Sequence, residues 1–206
     1  MVGILRDEEV MIVKVGGSVA DKLEIVFDAL SKVEDVKIIP GGWIFADMVR
    51  ELKLNDEISH WMAVLAMNLY GYYLLEFGKK AGFEIVEPED FSFFSQRGKF
   101  IVLPYRLLRN FDELPHSWDV TSDAIAVWIA SKIGEKKVIK ITALGGVVKN
   151  GALLERVDPF EAGDIIDRFT PSLLKKHDIT LFVCSPEEIK NYILRGKAKG
   201  TVIGGD

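Results

Sequence analysis

Cysteine is almost missing from this chain. Cys184 is its one representative in 206 residues, so no internal disulfide can staple the fold. It closes the apolar run "ITLFVC" (179–184) and reads as a small core residue of a protein kept in a reducing cytoplasm. Histidine is scarce too. His60, His116 and His177 are scattered, with no H-x-x-x-H or C-x-x-C spacing, so no dedicated metal centre is expected. Glutamine occurs once, at Gln96, while Lys and Glu abound, a bias that fits a thermophilic source. No apolar run reaches the roughly 20 residues that span a bilayer. The longest, 61–75, contains Asn68 and Gly71 and reads as a buried helix, so no membrane partner is expected. Positive charge is not in excess either. A net charge of −5 leaves no basic footprint for neutralising a nucleic-acid backbone. Residues 1–10 are charged and lack an apolar h-region, so they do not form a secretory signal; they read as a possible leader before a domain opening at Met11.

What is present is a chain that is 49% hydrophobic, enough to build one sizeable core. Apolar strand patterns at 10–15, 36–39, 83–86, 100–103, 137–142, 179–183 and 201–203 alternate with amphipathic stretches. Helices are predicted at 18–31, 43–52, 58–82, 122–133 and 186–194. That alternation predicts an α/β fold, a three-layer αβα sandwich around a mostly parallel sheet. Asn150-Gly151 between two short apolar runs is a hairpin signal. No repeat or linker divides the chain, so residues 1–206 read as a single domain.

In such sheets ligands bind beyond the carboxyl ends of the strands. Three of those ends carry glycine pairs: Gly16-Gly17, Gly41-Gly42 and Gly145-Gly146. In "KVGGS" the glycines let backbone N–H groups approach an anion, and Lys14 supplies a mobile charge beside them. The same residues also suit an ordinary strand end with a surface lysine. Competing motifs are absent: there is no G-x-x-x-x-G-K-[ST], no G-x-G-x-x-G and no G-x-S-x-G. In "PGGWIFADMVREL" the second pair can floor an acceptor site, with Asp47 and Arg50 one turn apart on the next helix. Arg can hold phosphate or carboxylate bidentately, although an i,i+3 surface pair is the simpler reading. In "HSWDVTSDAIA" Asp119, Thr121 and Ser122 are natural helix caps. Asp123 falls in the first turn, where it can organise a cation.

Taken in order, K-V-G-G-S, P-G-G with F-A-D-M-V-R, T-S-D-A-I-A, V-I-K-I-T with G-G-V-V-K-N-G, and a terminal G-T-V-I resemble the amino acid kinase superfamily over nearly the whole chain. Within it, "HWMAVLAMNLYG" and "SWDVTSDAIA" are most similar to the small archaeal kinases of methanofuran biosynthesis, which phosphorylate an aminomethylfuran methyl phosphate. The resemblance implies ATP with Mg²⁺ as donor and a small phosphorylated acceptor; UMP or a carboxylate is the nearest alternative. It implies that Lys14 stabilises the transferring phosphoryl group and that Asp123 orients the catalytic lysines. Gly16, Gly17 and Ser18 would line the ATP phosphates, and Thr142, Gly145, Gly146 and Lys149 would border the nucleotide. Gly41, Gly42, Asp47, Arg50, Asp119 and Thr121 would face the acceptor.

The chain departs from the family pattern in places. A T-D-x-x-G loop reads "TALGG" here, with Ala143 at the acidic position. The G-G-M-x-x-K segment that brings a second catalytic lysine is not recognisable, and "FTPSLLKKHD" (169–178) lies in its region with Lys175 and Lys176. Asp47 stands where isopentenyl phosphate kinases carry histidine. These departures leave a non-catalytic nucleotide or oxyanion binder of the same fold as the other class of function. The aromatic-rich helix of 58–82 reads as core or interface, and the resemblance implies a homodimer or higher homo-oligomer through it.

Overall fold

The computed structural model describes residues 10–205. The leader expected at 1–10 lies outside the described residues, Val10 excepted. β1 (Met11–Val15) leads through the first glycine pair into α1 (Leu23–Leu30), then β2 (Val36–Pro40), α2 (Trp43–Glu51) and the long α3 (Asp56–Gly78). Next come β3 (Glu84–Val86), β4 (Lys99–Val102), α4 (Tyr105–Asn110), α5 (Ser122–Ile133) and β5 (Lys137–Ile141). A hairpin of β6 (Val148–Lys149) and β7 (Ala152–Leu153) precedes β8 (Arg156–Val157) and α6 (Thr170–His177). β9 (Thr180–Cys184), α7 (Pro186–Arg195) and β10 (Thr201–Ile203) follow.

Eight strands form the main sheet in the order β3-β4-β2-β1-β5-β9-β10-β8. Every pairing is parallel except β9 with β10. Alternation along β1 sorts its side chains. Met11, Val13 and Val15 join the core with Val26, Phe27 and Leu30 of α1 and Ile189 of α7, while Ile12 faces the core of α5 and α6. Helix α3 serves both layers, giving Val64 and Met67 to one and Tyr70 and Leu74 to the other. This is the three-layer sandwich expected from the alternation of elements.

Helix ends follow local chemistry. The Asn55 side chain accepts from the Ile58 N–H at 2.9 Å and starts α3. Gly134 and Gly196, at φ 81° and 64°, stop α5 and α7 in the left-handed region. Asn150 and Gly151, at φ 53° and 77°, turn the expected hairpin.

Two helical expectations change. The helix read over 18–31 is split: a 3-10 turn at Gly17–Val19 comes first, and α1 begins only at Leu23. The Ser18 hydroxyl is held by the loop after β5, which keeps the first turn off the helix axis. Helices α4 and α6 were not anticipated, because each is short and opens beside a proline, Pro104 or Pro171, that reads locally as a turn.

Candidate active site

Lys14 sits one residue before the end of β1, on the face that turns toward α5. Its register partner across the sheet is Lys140 of β5. Since side chains alternate, both lysines project to the same side, about 4.8 Å apart at the backbone. Between them lies Asp123, in the first turn of α5. Lys14 Nζ is 3.0 Å from Asp123 Oδ1, and Lys140 Nζ is 2.6 Å from Oδ2. Each of the three residues is 6–7% exposed. Among the described residues the Lys14 contact is the only partner of Oδ1, whereas Lys140 also donates to the Ile165 carbonyl at 2.6 Å.

The electrostatics follow from burial and proximity. Burial alone would push the Asp123 carboxyl up, but Lys14 and Lys140 outweigh it and hold the group below the ordinary carboxylate range. Lys140 is brought down to about 8, first by burial and then by the Lys14 charge, with Asp123 opposing. Two ammonium groups on one carboxylate leave a local positive excess, suited to receiving an anion.

The glycine loops pack on one another above this cluster. The Gly16 N–H donates to Ile141 O at 3.3 Å and the Gly41 N–H to Val15 O at 2.9 Å, while those of Gly17 and Gly42 make no such bond among the described residues. A Cβ on Gly17 would come within 2.5 Å of the Trp43 ring, and one on Gly42 within 2.3 Å of the Ala46 Cβ. Trp43 itself holds a left-handed φ of 49°, strained for a tryptophan, and its ring lies against Tyr70 and Tyr73. The Tyr70 hydroxyl donates to the Gly16 carbonyl at 3.1 Å, tying α3 to the loop.

A third loop is assembled from the next strand end. Ser18 Oγ lies 3.2 Å from Thr142 Oγ1 and accepts from the Ala143 N–H at 3.2 Å. Gly145 and Gly146 have φ of 68° and 151°, and a Cβ on Gly146 would collide with Thr201 at 2.4 Å. Lys149 is solvent-exposed on the hairpin and is not brought into the cluster.

On the other side a cavity of about 480 Å³ opens between α2, α3 and the loop before α5. Lys14, Gly17, Ser18, Gly41 and Gly42 form its inner end. Asp47, Arg50 and Thr121 also line it; Arg50 Nη1 is 3.6 Å from Asp47 and its guanidinium covers the Trp118 ring at 4.4 Å. Asp119 does not line the cavity. It is exposed, 3.7 Å from Arg168. Thr121 caps α5 by backbone only. Its N–H and hydroxyl both donate to Asp167, at 2.9 and 2.8 Å.

Sequence reasoning missed Lys140 and Asp167. A signal for Lys140 existed: "KVIKI" carries a lysine at the same strand position as "MIVKV", which is costly in a buried strand unless paired. Asp167 carried none toward the site, since its partners at the start of α5, Thr121 and Ala124, are 46 and 43 residues distant and its local partner is Thr170. Lys175 and Lys176 of the 169–178 segment do not line the cavity. Leu173 and Leu174 of that segment are buried, and Lys175 pairs with Asp158 at 3.1 Å, outside the cavity. Among the described residues no cluster of three or more His, Cys, Asp or Glu could hold a metal ion.

No family model matches the chain. It is 30% identical over 207 residues to the [5-(aminomethyl)furan-3-yl]methyl phosphate kinase of Methanocaldococcus jannaschii, covering 90% of this chain and 93% of that protein. Among solved structures it is similar to the uridylate kinase of Archaeoglobus fulgidus, at TM-score 0.66 and 20% identity over 94% of this chain and 100% of that one. It is likewise similar to the UMP kinase of Ureaplasma parvum, at TM-score 0.71 and 15% identity over 98% and 100%. These two structural likenesses are evidence of a shared fold.

Proposed function

The chain belongs to the amino acid kinase family, and from that premise we propose that it transfers the γ-phosphoryl group of ATP to [5-(aminomethyl)furan-3-yl]methyl phosphate, giving the diphosphate. The observation that carries this reading is the Lys14–Asp123–Lys140 cluster beneath two packed glycine loops. An acceptor phosphate oxygen attacks the γ-phosphorus, the bond to the β-bridging oxygen breaks, and ADP leaves. Such a transfer needs positioning and charge neutralisation more than covalent catalysis.

In this reading Lys14 and Lys140 answer the charge of the transferring group, and Asp123 fixes their ammonium groups. The open N–H of Gly17, with Gly16 and Ser18 on either side, cradles donor phosphate. Thr142, Gly145 and Gly146 shape the nucleotide side, and Gly41, Gly42, Arg50 and Thr121 the acceptor side. Mg²⁺ would arrive on the ATP phosphates, since this chain offers it no carboxylate cage among the described residues.

The test is an acceptor panel with [γ-³²P]ATP containing the aminomethylfuran phosphate, UMP and a simple carboxylate. Efficient labelling of the furan phosphate is expected, and Lys14→Ala should remove most of it while leaving the circular dichroism unchanged. Labelling of UMP alone would overturn the acceptor, and full activity of Lys14→Ala would overturn the mechanism.

A homodimer through α2 and α3 is part of the same proposal. Ile44 and Met48 on α2, Leu52 at its C-cap, and Ile58, Leu65 and Leu69 on α3 are exposed apolar residues at helical spacing. A second copy would cover them, and a monomeric mass in light scattering would remove this reading. Among the described residues no helix is long and apolar enough to cross a membrane.

A further inference from the structure

Arg50 and Trp118 meet at the wall of the cavity, one from the last turn of α2 and the other from the segment before α5. Asp47 alone does not account for where this arginine stands. Its Oδ1 is 3.6 Å from Arg50 Nη1, beyond hydrogen-bond length, and both side chains are more than half exposed. So loose an ion pair does not order a long side chain. The tryptophan ring does, with the guanidinium carbon 4.4 Å from its centre. That contact leaves the arginine's N–H donors unspent: among the described residues none of them makes a hydrogen bond.

Trp118 is itself held from both sides. Before it, His116 stacks on His60 of α3 at 4.3 Å and bonds Asp112 at 2.8 Å. After it, Thr121 is fixed by Asp167 at 2.9 and 2.8 Å. The partly buried ring is therefore a platform, and the arginine above it is the mobile partner. The free donors also stand within reach of the inner end of the cavity. Arg50 lies about 12 Å along the helix axis from Gly42, but helical side chains lean back toward the N-terminus. The approach to Asp47 sets the guanidinium beside that residue, roughly 7 Å beyond Gly42. A phosphate bonded on opposite sides spans about that distance from donor to donor.

We infer that Trp118 is a positioning residue for the acceptor: its ring holds Arg50 so that the free guanidinium donors meet the acceptor's phosphate above the open N–H of Gly42. This rests on the reading above, in which the acceptor is a phosphate monoester. Lys14 and Lys140 answer the group in transfer, and Arg50 holds the acceptor oxygens that do not attack. The arrangement separates binding from chemistry. Without the ring the arginine loses its preferred place and grips the acceptor less well, while the Lys14–Asp123–Lys140 cluster is untouched.

The experiment is steady-state kinetics at saturating ATP with the phosphate monoester that wild type labels, expected to be the aminomethylfuran phosphate. Trp118→Leu should raise the acceptor KM by roughly 3- to 30-fold, the range of one cation–aromatic contact, with kcat and the KM for ATP little changed. Trp118→Phe keeps a ring face and should recover most of the loss. Arg50→Ala should raise the same KM by roughly 10- to 100-fold. In that background Trp118→Leu should add nothing, because its partner is gone. Arg109→Ala removes a matching contact, 4.5 Å over Trp61 and outside the cavity, and should leave the acceptor KM at its wild-type value. Multiplying effects of Trp118→Leu and Arg50→Ala overturn the positioning role and leave the acceptor assignment standing. So does an unchanged KM in Trp118→Leu, or an equal rise in Arg109→Ala. Absence of wild-type turnover with every phosphate monoester overturns the acceptor assignment and the positioning role together.

Discussion

Lys14 and Lys140 are register partners on adjacent parallel strands, and both close on the two oxygens of Asp123. A sheet places such a pair without further help, because equal height and equal face follow from the ladder itself. The cost is two buried cations on one anion. That cost makes sense where an anionic ligand completes the balance.

Lys140 should therefore matter to turnover as much as Lys14. Lys140→Met keeps the length of the side chain and removes its charge. Its kcat should fall by roughly 100-fold or more, the scale of losing one preorganised charge at a reacting group. Titration separates this from a structural effect. With Lys140 at about 8, wild-type activity should decline as pH rises through that value. Stability should move the other way: between about 8 and the ordinary 10.5 the unfolded chain holds a proton that the folded chain has lost, so folding gains as pH rises. Rate profiles and melting curves from pH 6 to 10 check both. A flat alkaline limb would rule out a charged Lys140 in the reaction.

Asp123→Asn should be worse for stability than either lysine variant. It leaves two buried ammonium groups without a counter-charge, a loss of about 3–5 kcal/mol. Because its carboxyl is held low in the folded chain, its contribution is complete above the ordinary carboxylate range and is lost only as pH falls through and below it. Adding Lys140→Met to Asp123→Asn should recover part of the melting temperature but none of the activity. A double variant less stable than Asp123→Asn would contradict the charge-balance argument.

Glycines of one pair should separate fold from function. At Gly16 the backbone is extended, and a Cβ would meet Lys14 Nζ at 3.4 Å and nothing closer. Gly16→Ala should fold with near-native stability and lose turnover by crowding the ammonium group. Gly17→Ala instead drives a methyl into Trp43, whose Cα would be 2.7 Å away, and should cost about 1–3 kcal/mol. Equal melting temperatures for the two variants would refute the packing between the loops.

Local signals made the sheet, the glycine loops and the start of α5 legible. Strand patterns, Asn150-Gly151 and the T-S-D run each encode their structure within a few residues. The missing parts are long-range. Lys140 was visible as a lysine in an apolar strand, but its register with Lys14 across 126 positions belongs to the sheet. Trp43 crowding Gly17 is likewise unreadable from "GGS" or "GGW" alone. Asp119 belongs with these: four polar groups precede α5, and only the folded chain selects which of them turn inward.

Asp167 is the clearest case, and it carries the last prediction. Its Oδ2 accepts from the Thr121 N–H, the Thr121 hydroxyl and the Ala124 N–H at 2.8–3.0 Å, while Oδ1 accepts from the Thr170 N–H and hydroxyl, each at 2.8 Å. One carboxylate thus ties the first turns of α5 and α6 together, and Asp123 lies within the turn that it holds. Asp167→Asn keeps the shape but replaces one accepting oxygen with a donor. The variant should lose about 1–3 kcal/mol of stability. Displacement of Asp123 should lower kcat further, with KM for the acceptor less affected. Asp167→Glu should not rescue it, since the longer side chain cannot serve both turns at once. Steady-state kinetics beside thermal melts decide the point: a variant that is less stable yet has the wild-type kcat would make Asp167 purely structural.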